Sequence, residues 1–352
     1  MNSTLYIHLK KLGHNLEVIH SIIGYGVQCM AVIKDEAYGH GLIPIANYLQ
    51  DKVDWFCVAD VEEGVRLRQE GIETPVLVFE IPRIGKEKLY TEHHLTASIS
   101  DLSVFGRLED NTECHLHFDT GMMRLGMLPS EASKAVELMN HHNRLNYTGI
   151  YTHFANADGP SFPLVEDQIS VFSEIRSQFP PHLMTHTSNS AGTLFHQGKA
   201  LFDAVRTGIA LYGYSPGLHE VNGLKPVLEW RSELVQVKAI KKGEAVGYGS
   251  RWKSPKNGWL GVIPVGYAEG ISRTLSGKFE VEIEDRFYPQ VGTISMDYIT
   301  VFLGNDKLEA GMEVKIIGEG KFSAKEWAEK SGTIPYEVTT RLSQKIDRKY
   351  LL

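Results

Sequence analysis

The sequence predicts an α/β fold, a TIM (β/α)8 barrel followed by a mostly β C-terminal domain. The chain has 352 residues, which is too long for one ordinary compact core. Up to Arg206, short apolar runs alternate with helical patterns, and beyond it the runs become alternating and β-rich. We therefore expect a barrel domain at 9–226 and a β-rich domain at 227–352, with residues 1–8 packing on the β-rich domain.

Eight strand-like runs and three clear helical patterns build the predicted barrel. Strands of a parallel sheet that is covered on its outer face are apolar almost throughout. The helical patterns lie at 61–71, 129–142 and 163–179, and the last two have proline in the first turn. The strand-like runs lie at 29–34, 55–60, 74–80, 96–100, 113–119, 147–153, 182–186 and 203–206.

The second half of the sequence has a different pattern of apolar and polar residues. From residue 227 onward the turn sequences "KKGE", "SPKNG" and "LSGK" separate runs of alternating polarity. Only "SAKEWAEKSG" (323–332) predicts a helix there. Near the N-terminus, "TLYIHL" (4–9) alternates like an edge strand and fits either domain.

Composition narrows the class of function. A net charge of −7 with both signs interspersed argues against nucleic acid or an anionic membrane as partner. No apolar stretch approaches the ~18 residues that span a membrane, and the first residues lack a signal-peptide pattern. Cys29, Cys57 and Cys114 lie in apolar runs without CxxC spacing, so we expect buried free thiols. These features favour a cytoplasmic protein that acts on a small molecule.

The predicted strand ends carry the chemistry, because barrel active sites form at the C-terminal ends of the strands. Lys34 ends the first strand, and Arg206 ends the eighth. The residues at the other strand ends are Asp119 and Arg124 after strand five, His153 at the end of strand six, and Asn189 and Ser190 after strand seven.

Two motifs after the seventh and eighth strands suggest a phosphate site. In "THTSNSAG", Ser190 opens a short helix whose free N–H groups would face an anion, and in "RTGIALYG", Gly208 lets the backbone approach closely. A lysine at the same barrel mouth is well placed to form a Schiff base with pyridoxal phosphate. The alternative is a lysine that merely extends from a strand end into solvent.

Ten motifs in order give the chain a family resemblance: "AVIKDEAYGHG", "HFDTGMMRLG", "GIYTHFANAD", "HTSNSAG", "VRTGIALYG", "LKPVLEWRSELVQVK", "VGYGSRW", "PVGYAEGISRTL", "VGTISMD" and "YEVTTRLSQKIDRKY". With these motifs the chain resembles alanine racemases, fold-type III pyridoxal-phosphate enzymes, along nearly its whole length. The resemblance implies a cytoplasmic homodimer with shared active sites that interconverts L- and D-alanine. It also implies that the D-alanine supplies peptidoglycan synthesis.

The resemblance implies a role for each matched residue. Lys34 would hold the cofactor and act as the base on one face of the substrate, and the partner's Tyr267 would be the base on the other face. Two bases suit racemisation because the proton must leave one face of Cα and return to the other. A tyrosine of reference pKa ~10 needs neighbours that favour its anion, and His153 with Arg206 match the pair that helps in the family.

The remaining matched residues would bind the cofactor and the substrate. Arg206 beside the pyridine nitrogen cannot give up its proton, so the ring is a weaker electron sink, which suits a racemase better than a decarboxylase. Arg124 and the backbone N–H of the partner's Met296 would face the substrate carboxylate. The matched phosphate ligands are Tyr38 and Ser190, with the backbone near Asn189, Gly208 and Ile209.

Four positions depart from the family pattern. His117 stands where the family commonly has a lysine, often carbamylated, and an imidazole cannot replace an anion that steadies Arg124. We expect a chloride, a water or a nearby carboxylate to compensate. Thr293, Ser295 and Gln344 replace an arginine, a cysteine and a tyrosine of the family. These changes leave open a serine racemase or one of broader specificity.

Three other classes of protein share parts of the pattern. His115 and His117 form an HxH pair like that of metal-dependent barrel hydrolases, but further ligands are not evident, and we expect no metal. A non-catalytic pyridoxal-phosphate carrier would resemble the barrel half alone. A decarboxylase of the same fold type differs by releasing carbon dioxide.

Overall fold

The computed structural model describes residues 3–159, 163–217, 219 and 221–352. Over these residues the chain divides into two compact units. The barrel unit contains the described residues of 12–37 and 42–225. The β-rich unit contains the described residues up to Lys11, then 38–41 and 226–352.

The barrel unit is built on eight parallel strands that close into a ring, because β9 pairs with β2. Each predicted strand is confirmed to within two residues at either end. With β1 (Ser3–His8) in the other unit, the barrel strands are β2 (Gln28–Val32), β3 (Trp55–Val58), β4 (Val76–Val78), β5 (Thr96–Ile99), β6 (Glu113–His117), β7 (Asn146–Tyr151), β8 (Met184–His186) and β9 (Ala204–Thr207).

The helices between the strands follow local sequence signals. The carboxylate of Asp60 caps α4 by accepting the Glu63 N–H at 2.9 Å. A 3-10 turn at Pro129–Glu131 leads into α6, as its proline suggested. The helices are α1 (Leu9–Ile23), α2 (Lys34–Tyr38), α3 (Leu42–Leu49), α4 (Val61–Gln69), α5 (Glu87–Glu92), α6 (Ala132–His141), α7 (Pro163–Arg176), α8 (Ser190–Phe195) and α9 (Gln197–Ala200). Of these, α2 is a left-handed turn rather than a right-handed helix.

The β-rich unit is a nine-stranded sheet in the order β11-β14-β17-β16-β15-β18-β10-β1-β19, beside a two-stranded ribbon. β1 pairs with β10 on one side and β19 on the other, so the edge position that its alternation suggested is wrong. Its strands are β10 (Leu228–Glu233), β11 (Gln236–Ile240), β12 (Ala245–Val246), β13 (Trp252–Lys253), β14 (Gly258–Ile263), β15 (Glu280–Ile283), β16 (Arg286–Val291), β17 (Ile299–Gly304), β18 (Glu313–Ile317) and β19 (Asp347–Leu351).

Two helices accompany this sheet. The predicted helix is confirmed as α10 (Ala324–Ser331), which Ser323 caps. Its Trp327 packs edge-on against Trp230 of β10, with ring centroids 6.2 Å apart. The second helix, α11 (Pro335–Thr340), has six residues, three of them β-branched, and apart from Pro335 at its first position its sequence carries little helix signal.

The structure also bears on two predictions made from the composition, one about the cysteines and one about membrane-spanning segments. Cys29, Cys57 and Cys114 are buried free thiols, as expected, and burial raises the pKa of Cys29 to about 12. Within the described part of the chain, no helix is long and apolar enough to cross a membrane.

Candidate active site

The strand ends bring most predicted site residues to the same mouth of the barrel. Lys34 follows β2, His153 follows β7, and Asn189 and Ser190 follow β8. Arg206 lies within β9 rather than at its end. Since parallel strands all end at the same face of a barrel, these side chains share one site.

Lys34 is followed by an unusual turn. Asp35, Glu36 and Ala37 have left-handed backbone angles, with φ of 54°, 54° and 51°, and Tyr38 follows with a φ of 55°. A left-handed residue with a side chain costs roughly 1–2 kcal/mol, so four consecutive residues with positive φ are kept only where the surroundings compensate. The backbone just before the lysine is tied to the barrel, because Ile33 N donates to Cys57 O at 2.9 Å. On the other side of the lysine, Ala37 N donates to Ile33 O at 2.9 Å, so the backbone is held both before and after Lys34.

The loop after β6 is fixed by a carboxylate. Asp119 accepts backbone N–H groups from Gly121 at 2.8 Å, Met122 at 2.8 Å and Arg124 at 2.9 Å. Burial works to raise the pKa of Asp119, but these N–H donors outweigh it and hold that pKa below its usual range. Gly126 passes so close that an added Cβ would lie 2.5 Å from Asp119 N. The "DTGMMRLG" sequence thus holds the backbone that carries Arg124.

Arg206 is the most tightly held charged group of the site. It is 2% exposed. Its Nη1 donates to His186 Nδ1 at 2.7 Å, and its Nη2 donates to Thr152 O at 2.7 Å and Thr187 O at 3.0 Å. Burial lowers the pKa of Arg206 to about 10, so the guanidinium stays protonated near neutral pH. The position of this permanent charge is set by the barrel backbone.

His153 lies between Arg206 and Asn189, so the structure brings together the predicted histidine and arginine. Arg206 Nη2 is 3.4 Å from His153 Nδ1, and Asn189 Nδ2 is 3.4 Å from His153 Nε2. Burial, reinforced by the charge of Arg206, holds the pKa of His153 well below its usual range. A guanidinium can only donate, so the neutral His153 accepts at Nδ1 and carries its proton on Nε2. Asn189 Nδ2 is also a donor, so it donates to Phe154 O at 3.4 Å rather than to this ring nitrogen.

A stack of rings covers the inner side of Arg206. Tyr151 lies parallel to His186 at 4.7 Å and to His117 at 4.2 Å between ring centroids. The ring of Tyr151 also lies 5.1 Å from the Arg206 guanidinium carbon. His186 must accept at Nδ1, so its Nε2–H donates to His115 Nδ1 at 2.9 Å. The stack places aromatic surface and neutral acceptors against the buried charge.

The loops after β8 and β9, where the sequence predicts a phosphate site, also have a defined geometry. Ser190 Oγ accepts Gly208 N at 2.9 Å and Ala210 N at 3.4 Å, so the loops after β8 and β9 are joined. The side chain of Asn189 caps α8 by accepting Gly192 N at 3.0 Å. Ile209 is buried in the same loop. Tyr38 lies among the residues of the β-rich unit and is 9% exposed.

Tyr267 and Met296 lie side by side in the β-rich unit. Tyr267 N donates to Ser295 O at 3.1 Å, and Ala268 N donates to Met296 O at 3.0 Å. Only glycine fits at position 266, because an added Cβ would lie 2.1 Å from Met296 O. Both side chains are about half exposed, Tyr267 at 43% and Met296 at 53%.

The departures from the family pattern have clear local environments. His117 donates to or accepts from Ser100 Oγ at 3.0 Å, and burial lowers its pKa to about 3, so it is neutral. Thr293 donates to Tyr248 O at 2.8 Å, and Ser295 donates to Tyr298 O at 2.7 Å, while Gln344 is exposed. Among the described residues, no carboxylate contacts the Arg124 guanidinium. Compensation by a carboxylate is therefore not observed, and compensation by chloride or water stays a prediction.

The residues fit pyridoxal phosphate better than a metal. Arg206 Nε is buried and has no protein partner in the described chain, so one charged donor remains for an acceptor such as a ring nitrogen. The HxH histidines are otherwise engaged, since His115 bonds to His186 and His117 to Ser100. Over the residues the structure describes, no group of three or more metal-ligating side chains is found.

Several residues around Arg206 were not indicated by the sequence. Tyr151, His186, Ser98 and Ser100 all lie inside predicted strands, where a polar side chain gives no sign of its contacts. The available signal was the inward alternation of His115 and His117 with neighbouring polar strand residues. Tyr151 donates to Ser98 Oγ at 2.8 Å, which in turn donates to Val78 O at 2.7 Å.

Comparison with known proteins gives one consistent family. Residues 7–216 match the model described as alanine racemase, N-terminal domain, and residues 227–350 match that for the C-terminal domain. The chain is 33% identical to an alanine racemase of Streptococcus equi subsp. equi, covering 98% of this chain and 97% of that one.

Solved structures agree. The alanine racemase of Clostridium difficile 630 superposes with a TM-score of 0.93 at 30% identity, covering 100% of this chain and 96% of that one. The alanine racemase of Bartonella henselae, described with covalently bound pyridoxal phosphate, gives a TM-score of 0.91 at 26% identity, with 100% of both chains covered.

Proposed function

The chain belongs to the alanine racemase family (EC 5.1.1.1), which uses pyridoxal phosphate, and from this premise we propose that it interconverts L- and D-alanine with Lys34 and the partner's Tyr267 as the two bases. The buried Arg206, with Nε still available as a donor, is the observation that carries the proposal. A homodimer with shared active sites follows from the second base. The D-alanine would supply peptidoglycan synthesis.

Lys34 and the loops after β8 and β9 would hold the cofactor. Bound pyridoxal phosphate supplies an electron sink that makes the Cα–H bond of the amino acid acidic. Arg206 Nε would donate to the ring nitrogen and, since the guanidinium keeps its proton, would moderate that sink. Ser190, Gly208, Ile209 and Asn189 would contact the phosphate, and Tyr38 joins them through its match to the "YGHG" motif alone.

Two proton movements complete the proposed reaction. Lys34 Nζ takes the proton from one face of Cα, and the hydroxyl of the partner's Tyr267 delivers one to the other face; the reverse direction exchanges the two roles. His153, whose Nε2–H is directed away from Arg206, would donate to the phenolic oxygen and favour its anion. Arg124 and the backbone N–H of the partner's Met296 would hold the substrate carboxylate.

Substrate range is the finer part of the proposal. Gln344 is exposed and Thr293 is committed to a backbone carbonyl, so neither supplies an arginine or a tyrosine ring at the pocket mouth. A methylene or hydroxyl changes preference by only ~1–3 kcal/mol in such pockets. Activity on serine or on a wider set of amino acids is therefore the second candidate. A decarboxylase would differ by releasing carbon dioxide.

Borohydride reduction followed by peptide mapping tests the anchor. In the wild-type holoenzyme we expect the reduced pyridoxal adduct on Lys34, and we expect Lys34→Ala to abolish it. An adduct that persists on another lysine would remove Lys34 from the mechanism.

Exchange of the α-hydrogen with solvent deuterium tests the second base. Tyr267→Phe removes the hydroxyl of a residue that is 43% exposed, so we expect cofactor binding to be retained. Exchange should become strongly one-sided, lost from one enantiomer of alanine and kept for the other. Equal loss from both enantiomers would contradict the two-base assignment.

A further inference from the structure

The left-handed turn after Lys34 is braced by two side chains of α4. Glu63 is 8% exposed and lies in the first turn of this helix, and Arg66 follows it by three residues on the same face. We name Glu36, Glu63 and Arg66 the clasp, because together they connect the turn to α3 and to α4.

The contacts of the clasp join the turn to the two helices that flank it. Glu36 Oε1 accepts Arg66 Nη1 at 2.5 Å, and Glu36 Oε2 accepts Leu42 N, at the start of α3, at 3.2 Å. The backbone N–H of Glu36 donates to Glu63 Oε1 at 3.3 Å. Both the side chain and the backbone of Glu36, within the turn, are therefore held by hydrogen bonds.

Glu63 extends the connection to the next strand of the barrel. Its other oxygen, Oε2, accepts Ala59 N at 2.9 Å, directly after β3. The loops after β2 and β3 thus share one carboxylate. Arg66 balances the negative charge of Glu36 and Glu63. Its hydrogen bond to Glu36, together with these charges, outweighs burial and raises the pKa of Arg66.

We propose that the clasp positions Lys34, by holding the left-handed turn that fixes the direction in which its side chain leaves the barrel. This inference rests on the proposed function of Lys34 as cofactor anchor and base. The three residues are positioning residues, since the described contacts of the clasp do not include the lysine amine. Rigid placement matters because a displacement of about 1 Å at a reacting group costs about a hundredfold in rate.

The Glu36–Arg66 pair is partly exposed, with 28% and 46% of the side chains accessible. Ion pairs of this kind contribute little to global stability. The effect of breaking it should therefore be local to the turn, which separates a positioning role from a purely structural one.

Arg66→Ala is the first variant to measure in the holoenzyme, with Lys199→Ala as matched control. Lys199 pairs with Glu166 at 2.6 Å on the surface of the same unit, with both side chains exposed. Amide hydrogen exchange of the peptide 33–42 reports the turn, and kcat and KM for alanine report the lysine. For Arg66→Ala we expect exchange at the turn to be about tenfold faster and kcat about tenfold lower, with KM within about twofold.

The control variant should change neither exchange nor kcat. Arg66→Lys keeps the cation and should restore most of kcat, and Glu36→Gln, which keeps an acceptor for Leu42 N, should repeat the loss. Glu36→Gln also carries the test if Arg66→Ala fails to fold.

Two results would overturn the proposal. Unchanged exchange at the turn in both variants would mean that the clasp does not hold it, and faster exchange with unchanged kcat would mean that the clasp does not position Lys34. Failure of the proposed function is recognised separately, because Lys34→Ala would then keep a borohydride-reduced adduct on another lysine.

Discussion

Arg206 is 2% exposed and donates to three backbone carbonyls and two histidines, whereas Arg124 is exposed and its guanidinium has no protein partner in the described chain. The difference lies in the scaffold. Arg206 is on a barrel strand, where neighbouring strands supply carbonyls, and Arg124 is on a loop of which only the backbone is fixed, through Asp119.

This contrast fits different functions for the two arginines. A group that tunes the cofactor benefits from being fixed in advance, because it faces the same ring in every turnover. A group that binds the carboxylate of an exchanging substrate must be accessible to each new molecule. The proposed roles of the two residues follow that logic.

Acid should affect the Arg206 region first. Burial lowers the pKa of His115 and His117 to about 3, and it holds the pKa of His153 and His186 well below the usual range. The unfolded chain, with imidazole pKa values of ~6.5, therefore binds these protons before the folded chain does. The stabilisation that these neutral imidazoles contribute is complete above about pH 6.5. It falls as the pH drops towards 3, by up to about 1.4 kcal/mol per pH unit for each imidazole.

Denaturant unfolding of wild type and His117→Gln between pH 7 and pH 5 measures this effect. We expect several kcal/mol of loss in the wild type and, below pH 6.5, a slope smaller by up to about 1.4 kcal/mol per pH unit in the variant. Identical slopes would mean that His117 titrates alike in the folded and unfolded protein, so that burial does not lower its pKa. The loop that carries Arg124 should keep its stability between pH 7 and pH 5. The pKa of Asp119 is below its usual range, so the stabilisation from this carboxylate is lost only at more acidic pH.

Arg206→Met should destabilise the barrel as well as abolish activity. The variant removes the donors to Thr152 O, Thr187 O and His186, and buried acceptors without partners are costly. We expect a loss of about 2–5 kcal/mol in the free energy of unfolding. Full stability in denaturant melts would contradict the view that Arg206 is built into the barrel.

Arg124→Gln should leave stability nearly unchanged but weaken substrate binding. An exposed guanidinium without a protein partner contributes little, so we expect stability to stay within about 0.5 kcal/mol of wild type. The KM for alanine should rise by about tenfold or more, because a charge-assisted contact to the carboxylate is lost. A large loss of stability with unchanged KM would place Arg124 in a structural role.

The sequence predicted the features that depend on backbone topology, but not the contacts between side chains inside the barrel. Period and apolar runs predicted the eight strands, and strand ends predicted Lys34, His153 and Arg206 as neighbours at one mouth, because backbone topology alone brings them together. The stack of His117, Tyr151 and His186 was not predicted, since which inward side chains meet depends on barrel stagger and packing. The left-handed turn after Lys34 was missed because Asp35, Glu36 and Ala37 carry no glycine signal.

Chiral chromatography of single-enantiomer alanine, incubated with the purified protein and pyridoxal phosphate, tests the central claim most directly. Because the two enantiomers have equal free energy, we expect L-alanine and D-alanine to converge on the same equimolar mixture. Serine and a basic amino acid in parallel incubations show whether His117, Thr293 and Gln344 have widened the pocket. If neither enantiomer of alanine is converted under conditions where Lys34 carries the cofactor, the racemase assignment for this site is wrong.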